Sequence, residues 1–332
     1  MEFYVGTLTC EGGEGVLDCS LEDDHIELKA TVIDISDPNY VILSPRGDRL
    51  YAVSNDGATE GVQGCVNVYD ITGETPALLC RQSTGGGSPC FLALSPDGRY
   101  LYEANYDTGS LAVFPVSCGL NERIQLVQHS GHGPHPTRQE GPHLHQTTFL
   151  PGTQLLCAID LGTDELVVYR ADRQTGLLTE QTRTHLFGGP RHIAYGKAGY
   201  AYVAHELSNE VTTLRIENDA FIPLQTLTTL PEGWTGVNTA AAIRLSTDGS
   251  RLYVSNRGHG SIAEYAVQAD GTLRFLRHLW AGAFPRDFIC LSDGRFLVAD
   301  QHAGVYLLSQ DGDALDFLPQ KGAVCICPKR EE

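Results

Sequence analysis

The sequence is short of positive charge and has no long apolar stretch. Its 332 residues carry a formal net charge of −18, and lysine and arginine never form a run. Because such a chain repels nucleic-acid backbones and anionic lipids, we expect neither a nucleic-acid nor a membrane partner. No segment approaches the roughly 20 apolar residues that span a bilayer. Residues 1–6 lack a basic region followed by an apolar stretch, so we expect a cytoplasmic protein.

Several familiar sequence signatures are also missing. Amphipathic helical periodicity is nearly absent, which argues against helical fold classes. The chain has only two tryptophans and no Trp-Asp pair, so it lacks the repeated Gly-His and Trp-Asp signatures of WD40 repeats. A Gly-x-Ser-x-Gly nucleophile elbow does not occur between a strand and a helix, so a Ser-His-Asp esterase is not supported.

Ten cysteines are present, but their placement does not indicate disulfides. Five of them stand singly inside apolar runs, where cysteine behaves as a small core residue. These are Cys65, Cys80, Cys90, Cys157 and Cys290. Cys325 and Cys327 form a close pair, and their period of two fits a strand better than a zinc site.

One turn-and-strand pattern recurs along the whole chain. Residues 44–51, 95–102 and 246–253 each place a Gly-containing tight turn before an apolar strand, and weaker copies occur at 150–153, 195–199 and 292–295. A seventh such strand, at residues 4–7, lacks the strand that should precede it, and residues 323–328 resemble that missing strand. A period of about 45–55 residues is near that of propeller blades. We therefore predict an all-β, seven-bladed β-propeller, a single domain over residues 1–332, whose last blade is closed by the N- and C-terminal strands.

Equivalent positions in the repeats should form rings around one mouth of the central channel. One ring, after the proline that opens each inner strand, reads Asn39, Cys90, His143, Arg191 and Arg286. A second ring, at the corner after the next strand, reads Asn55, Asn105, Asp160, Glu206, Arg257 and Gln301. Clustered arginines in an acidic protein indicate an anionic ligand, and a histidine among them suits proton transfer near neutral pH.

The segment 129–145 holds five of the twelve histidines. If its end is a strand, His143 and His145 face the same side, with His145 deeper in the channel. A metal bound by His143, His145 and Glu206 is an alternative. Because nearby arginines would repel a cation, we expect neither a metal nor another cofactor.

These residues resemble the bacterial lactonase family of seven-bladed propellers, which contains 6-phosphogluconolactonases and a fungal carboxy-muconate lactonizing enzyme. The resemblance spans essentially the whole chain. It is carried by residues 4–7, the Ser-Pro-Asp-Gly-Arg turns, and the segments 131–145, 189–193, 255–262 and 284–288. The chain departs from the family pattern at Gly258-His259-Gly260 and at Asp300-Gln301-His302, which bears on the substrate rather than on the fold.

The resemblance implies a catalytic set of His143, Glu206, Arg191 and Arg257. The leading hypothesis is hydrolysis of a sugar lactone, 6-phosphogluconolactone, with His143 as base and an oxyanion stabilised by Arg191 and Arg257. The substrate-binding residues would be Arg286, Arg138, His145 and Asn256. A cycloisomerase that uses the same pocket and a non-catalytic scaffold propeller remain as alternatives.

Overall fold

The computed structural model describes residues 1–33, 35–56, 64–73 and 75–329, which contain 28 strands and one short 3-10 helix, Thr9–Glu11. The strands form seven four-stranded antiparallel sheets, the blades. From the inner strand outward, blade 1 is β4 (Val41–Leu43), β5 (Arg49–Ser54), β6 (Cys65–Asp70) and β7 (Ala77–Ser83). Blade 2 is β8 (Pro89–Leu94), β9 (Tyr100–Asn105), β10 (Ser110–Pro115) and β11 (Gln125–Gln128). Blade 3 is β12 (Leu144–Phe149), β13 (Leu155–Asp160), β14 (Glu165–Ala171) and β15 (Leu178–His185). Blade 4 is β16 (Pro190–Tyr195), β17 (Tyr200–His205), β18 (Glu210–Glu217) and β19 (Ala220–Thr228). Blade 5 is β20 (Thr239–Leu245), β21 (Arg251–Arg257), β22 (Ser261–Val267) and β23 (Leu273–Trp280). Blade 6 is β24 (Pro285–Cys290), β25 (Phe296–Asp300), β26 (Gly304–Leu308) and β27 (Ala314–Pro319). Blade 7 is β28 (Ala323–Pro328), β1 (Glu2–Thr7), β2 (Val16–Glu22) and β3 (His25–Ile33).

The two ends of the chain meet in blade 7. Strand β28 pairs antiparallel with β1, so that Val5 lies opposite Ile326 and Tyr4 opposite Cys327. Each inner strand contacts the inner strands of the blades on both sides, in the cyclic order β4, β8, β12, β16, β20, β24, β28 and back to β4. The ring is therefore closed, and the predicted seven-bladed propeller with its terminal closing blade is confirmed.

The recurrent turn has a physical basis in its first residue, a serine. The Ser44 hydroxyl oxygen accepts hydrogen bonds from the backbone N–H groups of Asp48 and Arg49, and the Ser95 hydroxyl oxygen accepts one from the N–H of Tyr100. The glycine at each turn has a positive φ, +72° at Gly47 and +69° at Gly98, a region that glycine enters without steric cost. These turns join the inner strand of a blade to the second strand.

Neighbouring blades pack through the side chains of their second strands. Tyr102 of blade 2 is fully buried and donates its hydroxyl hydrogen to the Gly176 carbonyl of blade 3. Tyr202 of blade 4 does the same to Gly271 of blade 5, at 3.0 Å. A buried phenol is stable when its hydroxyl has a partner, so the same contact fastens two pairs of adjacent blades.

All ten cysteines are free, and the five predicted to stand in strands do so. Cys325 and Cys327 lie on β28, as the period of two indicated. Within the described ranges, no helix is long and apolar enough to cross a membrane.

Candidate functional site at the channel mouth

β-Bulges near the start of the inner strands place side chains at the channel mouth. In β8, β12, β16 and β24 the pairing skips one residue, and such an unpaired residue is re-aimed relative to its neighbours. The skipped residues are Cys90, His145, Arg191 and Arg286. The first predicted ring was correct at three of these positions. It was wrong at His143, because Leu144 pairs with Asp160 just as Pro190 pairs with His205.

The second ring is fixed by a backbone hydrogen bond that recurs in the blades. The N–H groups of Tyr106, Leu161, Glu206 and Gln301 donate to the carbonyls of Ser88, His143, Gly189 and Phe284, respectively. The prediction was correct for Glu206 and Gln301. It was wrong by one residue in blades 2 and 3, where Asn105 and Asp160 end their strands and are fully buried inside the blades.

The rings enclose a cavity of about 340 Å³. Its walls come from the inner strands, the corners and the segment before β12. The lining residues are Asn39, Ser88, Cys90, Tyr106, Asp107, Arg138, His145, Glu206, Arg257 and Arg286. Three arginines against two carboxylates, with Arg191 directly behind Glu206, give the cavity an excess of positive charge within an acidic protein.

Glu206 is the centre of the charged network. Its Oε2 atom lies 2.9 Å from Nε of Arg191 and 2.8 Å from Nη2 of Arg257, and its Oε1 accepts from Nη2 of Arg138. Burial alone would raise the pKa of Glu206, but Arg257 and Arg191 outweigh it and hold the pKa well below the ordinary value. The carboxylate is therefore ionised at neutral pH and organises three guanidinium groups.

Arg191 and Arg257 are each held by more than one partner, and Arg191 contacts both Glu206 and His192. Besides Glu206, Arg257 donates to the carbonyls of Thr239 and Ala240. Burial, together with the charges of Arg257 and other neighbours, lowers the pKa of Arg191 to about 9, so it is still protonated at neutral pH. These two arginines are fixed in place before any ligand enters.

His145 lines the cavity and is held neutral. It is 7% exposed, and its Nδ1 atom has no hydrogen-bond partner among the described residues. Burial first, and the charge of Arg191 second, keep the pKa of His145 well below its ordinary value. His192 packs edge-on against it at 5.1 Å and is neutral for the same reasons. His145 can donate or accept a hydrogen bond but does not readily become a cation.

His143 lies beside the cavity, against Tyr106. The rings of His143 and Tyr106 stack at 4.5 Å, and Nδ1 of His143 lies 3.0 Å from the Tyr106 carbonyl. Because a carbonyl only accepts, Nδ1 carries the hydrogen and Nε2 has the free lone pair. Nε2 lies 3.6 Å from Oε1 of Glu140, so a carboxylate is available to stabilise a protonated ring.

The segment before β12 carries Arg138 into the cavity. Its anchor is Gln139, whose amide donates to the Leu161 carbonyl at 2.8 Å and to Asp164 at 2.6 Å. Arg138 then reaches both Glu206 and the hydroxyl of Tyr106. Of the histidines of this segment, His129 is buried between Asp160 and Tyr169 and has a structural role.

The structure does not bring Asn256 to the cavity. Asn256 is fully buried, accepts from the Thr229 hydroxyl at 2.7 Å and donates to the Thr229 carbonyl at 2.8 Å. It occupies the position of Asn105 in its own blade, one residue before the corner. These hydrogen bonds stabilise the loop before β20 and occupy both the oxygen and the nitrogen of the amide, so Asn256 is not available to bind a substrate.

Tyr106 is one of three cavity residues that sequence reasoning missed, together with Ser88 and Asp107. A signal was present, because these corner residues follow the second residue of their second strands, β9, β17 and β21, by five positions, without gaps. Counting from Leu101 gives Tyr106, as counting from Ala201 gives Glu206 and from Leu252 gives Arg257. Alignment on the polar residue type chose Asn105 instead.

A metal centre finds no support in the arrangement of these side chains. Among the described residues, no group of three histidine, cysteine, aspartate or glutamate side chains is placed to hold an ion. The alternative set of His143, His145 and Glu206 is divided by arginines, because the Glu206 carboxylate is shared by Arg138, Arg191 and Arg257.

A larger cavity, of about 620 Å³, lies where the inner strands end rather than where they begin. Its two arginines are already compensated, since Arg244 pairs with Asp287 and Arg295 pairs with Asp24 and Asp293. Of these two cavities, the one at the ring of bulges combines arginines that are not fully compensated with neutral histidines.

Fold and cavity together define a seven-bladed propeller with an arginine-rich cavity at its channel mouth. Over residues 2–312 the chain matches the family model described as "Lactonase, 7-bladed beta-propeller", and it belongs to that family. The 6-phosphogluconolactonase of Bacillus subtilis is 35% identical to it over 340 residues, which cover 97% of this chain and 95% of the relative.

Two solved structures are similar throughout. A protein from Lactobacillus plantarum is 32% identical with a TM-score of 0.89, covering 98% of this chain and 99% of the other. A periplasmic gluconolactonase from Pseudomonas aeruginosa is 30% identical with a TM-score of 0.87, covering 99% and 98%. Family membership supports lactone hydrolysis as the class of reaction.

Proposed function

We propose that the protein hydrolyses 6-phosphogluconolactone to the open acid, in the cytoplasm, as a step of the pentose phosphate pathway. The observation that carries the proposal is the excess of guanidinium groups around one carboxylate, Glu206. Arginine pairs well with phosphate and carboxylate oxygens. The name of the Bacillus subtilis relative supports the same substrate.

In the proposed reaction, water attacks the lactone carbonyl carbon while Nε2 of His143 takes a proton from it. The new C–O bond makes a tetrahedral oxyanion, which Arg191 and Arg257 stabilise from fixed positions. The carbonyl then re-forms, the ring C–O bond breaks, and the imidazolium returns its proton to the leaving ring oxygen. Glu206 takes no proton and holds the arginines in place.

His143 suits the role of base better than His145. A base must be able to keep the proton it receives, and the imidazolium form of His143 would be stabilised by Glu140, 3.6 Å from its Nε2. His145 is buried beside Arg191, and its lowered pKa means that the protonated form is unfavourable. His145 is proposed as a neutral hydrogen-bonding group for the substrate.

The central test follows the opening of freshly generated 6-phosphogluconolactone beside unphosphorylated gluconolactone, each corrected for spontaneous hydrolysis. We expect kcat/KM to favour the phosphorylated lactone. Absence of enzymatic opening of both lactones would contradict the proposal, and a product isomeric with the substrate, formed without consumption of water, would assign the pocket to a cycloisomerase.

Replacing His143 by alanine should lower kcat about 10²- to 10⁴-fold if it is the general base. The matched variant His145→Ala removes a neutral binding group and should chiefly raise KM. kcat and KM are determined separately for both variants, since loss of the base should appear in kcat and loss of a binding group in KM. Near-normal kcat in His143→Ala with a large loss in His145→Ala would transfer the base to His145.

A further inference from the structure

We infer that Gln301, oriented by Glu11 of the N-terminal segment, is a positioning residue that keeps Arg286 available for the doubly negative group of the substrate. This inference rests on the proposed function, because it identifies where the phosphate of a sugar lactone binds. The contact between Glu11 and Gln301 joins two blades, since Glu11 belongs to the short helix after β1 of blade 7 and Gln301 lies at the corner of blade 6.

The orientation of the Gln301 amide is determined by its neighbours. Its Nε2 lies 2.7 and 2.8 Å from the two carboxylate oxygens of Glu11, and its Oε1 lies 2.9 Å from Nη1 of Arg286. A carboxylate only accepts hydrogen bonds and a guanidinium only donates them. The amide nitrogen must therefore face Glu11 and the amide oxygen must face Arg286. Gln301 is 6% exposed, so water has little access to its amide, whereas Glu11 is exposed.

Arg286 differs from the other arginines of the cavity in its partners. Arg138, Arg191 and Arg257 each contact the Glu206 carboxylate. Across the described ranges, Arg286 has a single hydrogen-bond acceptor, the neutral oxygen of Gln301. Most of its five N–H donors are left for a ligand, and no carboxylate within the cavity offsets its charge directly.

The residue type at position 301 then becomes a determinant of specificity. Glutamine holds Arg286 without neutralising it, so the guanidinium retains its full charge for a phosphate. Glutamate has nearly the same shape but would place a carboxylate on Arg286 and against Glu11. The site would then favour substrates without the terminal phosphate.

The test measures binding of the open-chain products, which need no turnover. Calorimetry at neutral pH compares 6-phosphogluconate with gluconate on the full-length protein and on Gln301→Glu. We expect the unaltered protein to prefer 6-phosphogluconate, and the variant to lose about 10- to 100-fold of that preference, the worth of one charge-assisted contact. Gluconate affinity should change little.

Matched controls separate this effect from general charge and from misfolding. Gln174→Glu makes the same substitution in an exposed turn of blade 3 and should leave the preference intact. Glu11→Gln keeps Gln301 but removes the carboxylate that orients it, and should give a smaller loss in the same direction, seen in KM for the phosphorylated lactone rather than in kcat.

Equal loss of affinity for both acids in Gln301→Glu, or an unchanged preference in both variants, would overturn the inference. If Gln301→Glu does not fold, Glu11→Gln decides the matter alone. The proposed function fails separately, by the absence of lactone opening in the unaltered protein, and that outcome leaves the binding comparison intact.

Discussion

At the scale of single residues, the charged network of the cavity depends on Glu206. Its carboxylate is 3% exposed and contacts three arginines. Glu206→Gln leaves those cations without their counter-charge, and removing one partner of a buried ion pair costs about 3–5 kcal/mol. We expect a loss of that order in urea-induced unfolding at neutral pH, with a large decrease in kcat because the arginines separate.

The pH dependence of that loss has a definite sign. The pKa of Glu206 is lowered from 4.5 in the folded protein, so its contribution is complete above about pH 4.5 and declines as the pH falls toward the folded value. The stability difference between the unaltered protein and Glu206→Gln should therefore shrink below that pH. The exposed pair of Glu180 with Arg183 is the control, since Glu180→Gln should cost at most about 1 kcal/mol.

Arg191, Arg257, Arg286 and Glu206 could be predicted from repeat-equivalent positions, because the blades repeat both the start of the inner strand and the corner. Arg138 also lines the cavity but lies outside the repeat. The histidine at the ring position could not be identified in the same way. His145 occupies the ring position because Leu144, and not Pro142, stands at the place that Pro190 has in its own blade. Alignment on the proline therefore selected a histidine two residues too early. Asn256 was expected in the cavity because of its polar side chain. It lies outside the cavity because its position is one residue before the corner.

At the scale of elements, the segment between β11 and β12 acts as an arm that delivers Arg138. The arm is anchored by Gln139, which is 2% exposed and bonded to Leu161 and Asp164. Gln139→Ala removes these bonds without touching the cavity. We expect kcat/KM for the phosphorylated lactone to fall about tenfold, the worth of roughly one positioned charge-assisted contact.

A double-mutant cycle shows whether Gln139 acts through Arg138. If it does, Gln139→Ala should have little further effect in an Arg138→Ala background, giving a coupling energy of about 1 kcal/mol or more. Additive losses would instead mean that Gln139 stabilises the segment without directing Arg138.

At the scale of the whole molecule, the ring closes through one pair of strands from opposite ends of the chain. The sequence could predict this pairing, because residues 4–7 form a second strand with no first strand and residues 323–328 form a first strand with no second. The backbone N–H of Lys329 donates to the Glu2 carbonyl at 2.8 Å, so the chain ends are adjacent. Closure also concerns the site, because blade 7 supplies Glu11, which orients Gln301.

Deletion of residues 322–332 should therefore do more than remove one strand. It exposes the inner edge of β1 and takes away the neighbour of both β24 and β4, so the ring loses its last contact and a free edge appears. We expect a large decrease in the urea midpoint, a broadened transition and aggregation. A circular permutant that joins the native ends by a short linker, and opens the chain at the exposed turn after Pro151, keeps the β28–β1 pair within one covalent hairpin. It should retain a single sharp transition and lactone opening. If instead the deletion variant unfolds at the midpoint of the intact chain, the blades are independent units, and the predicted single domain over 1–332 is wrong.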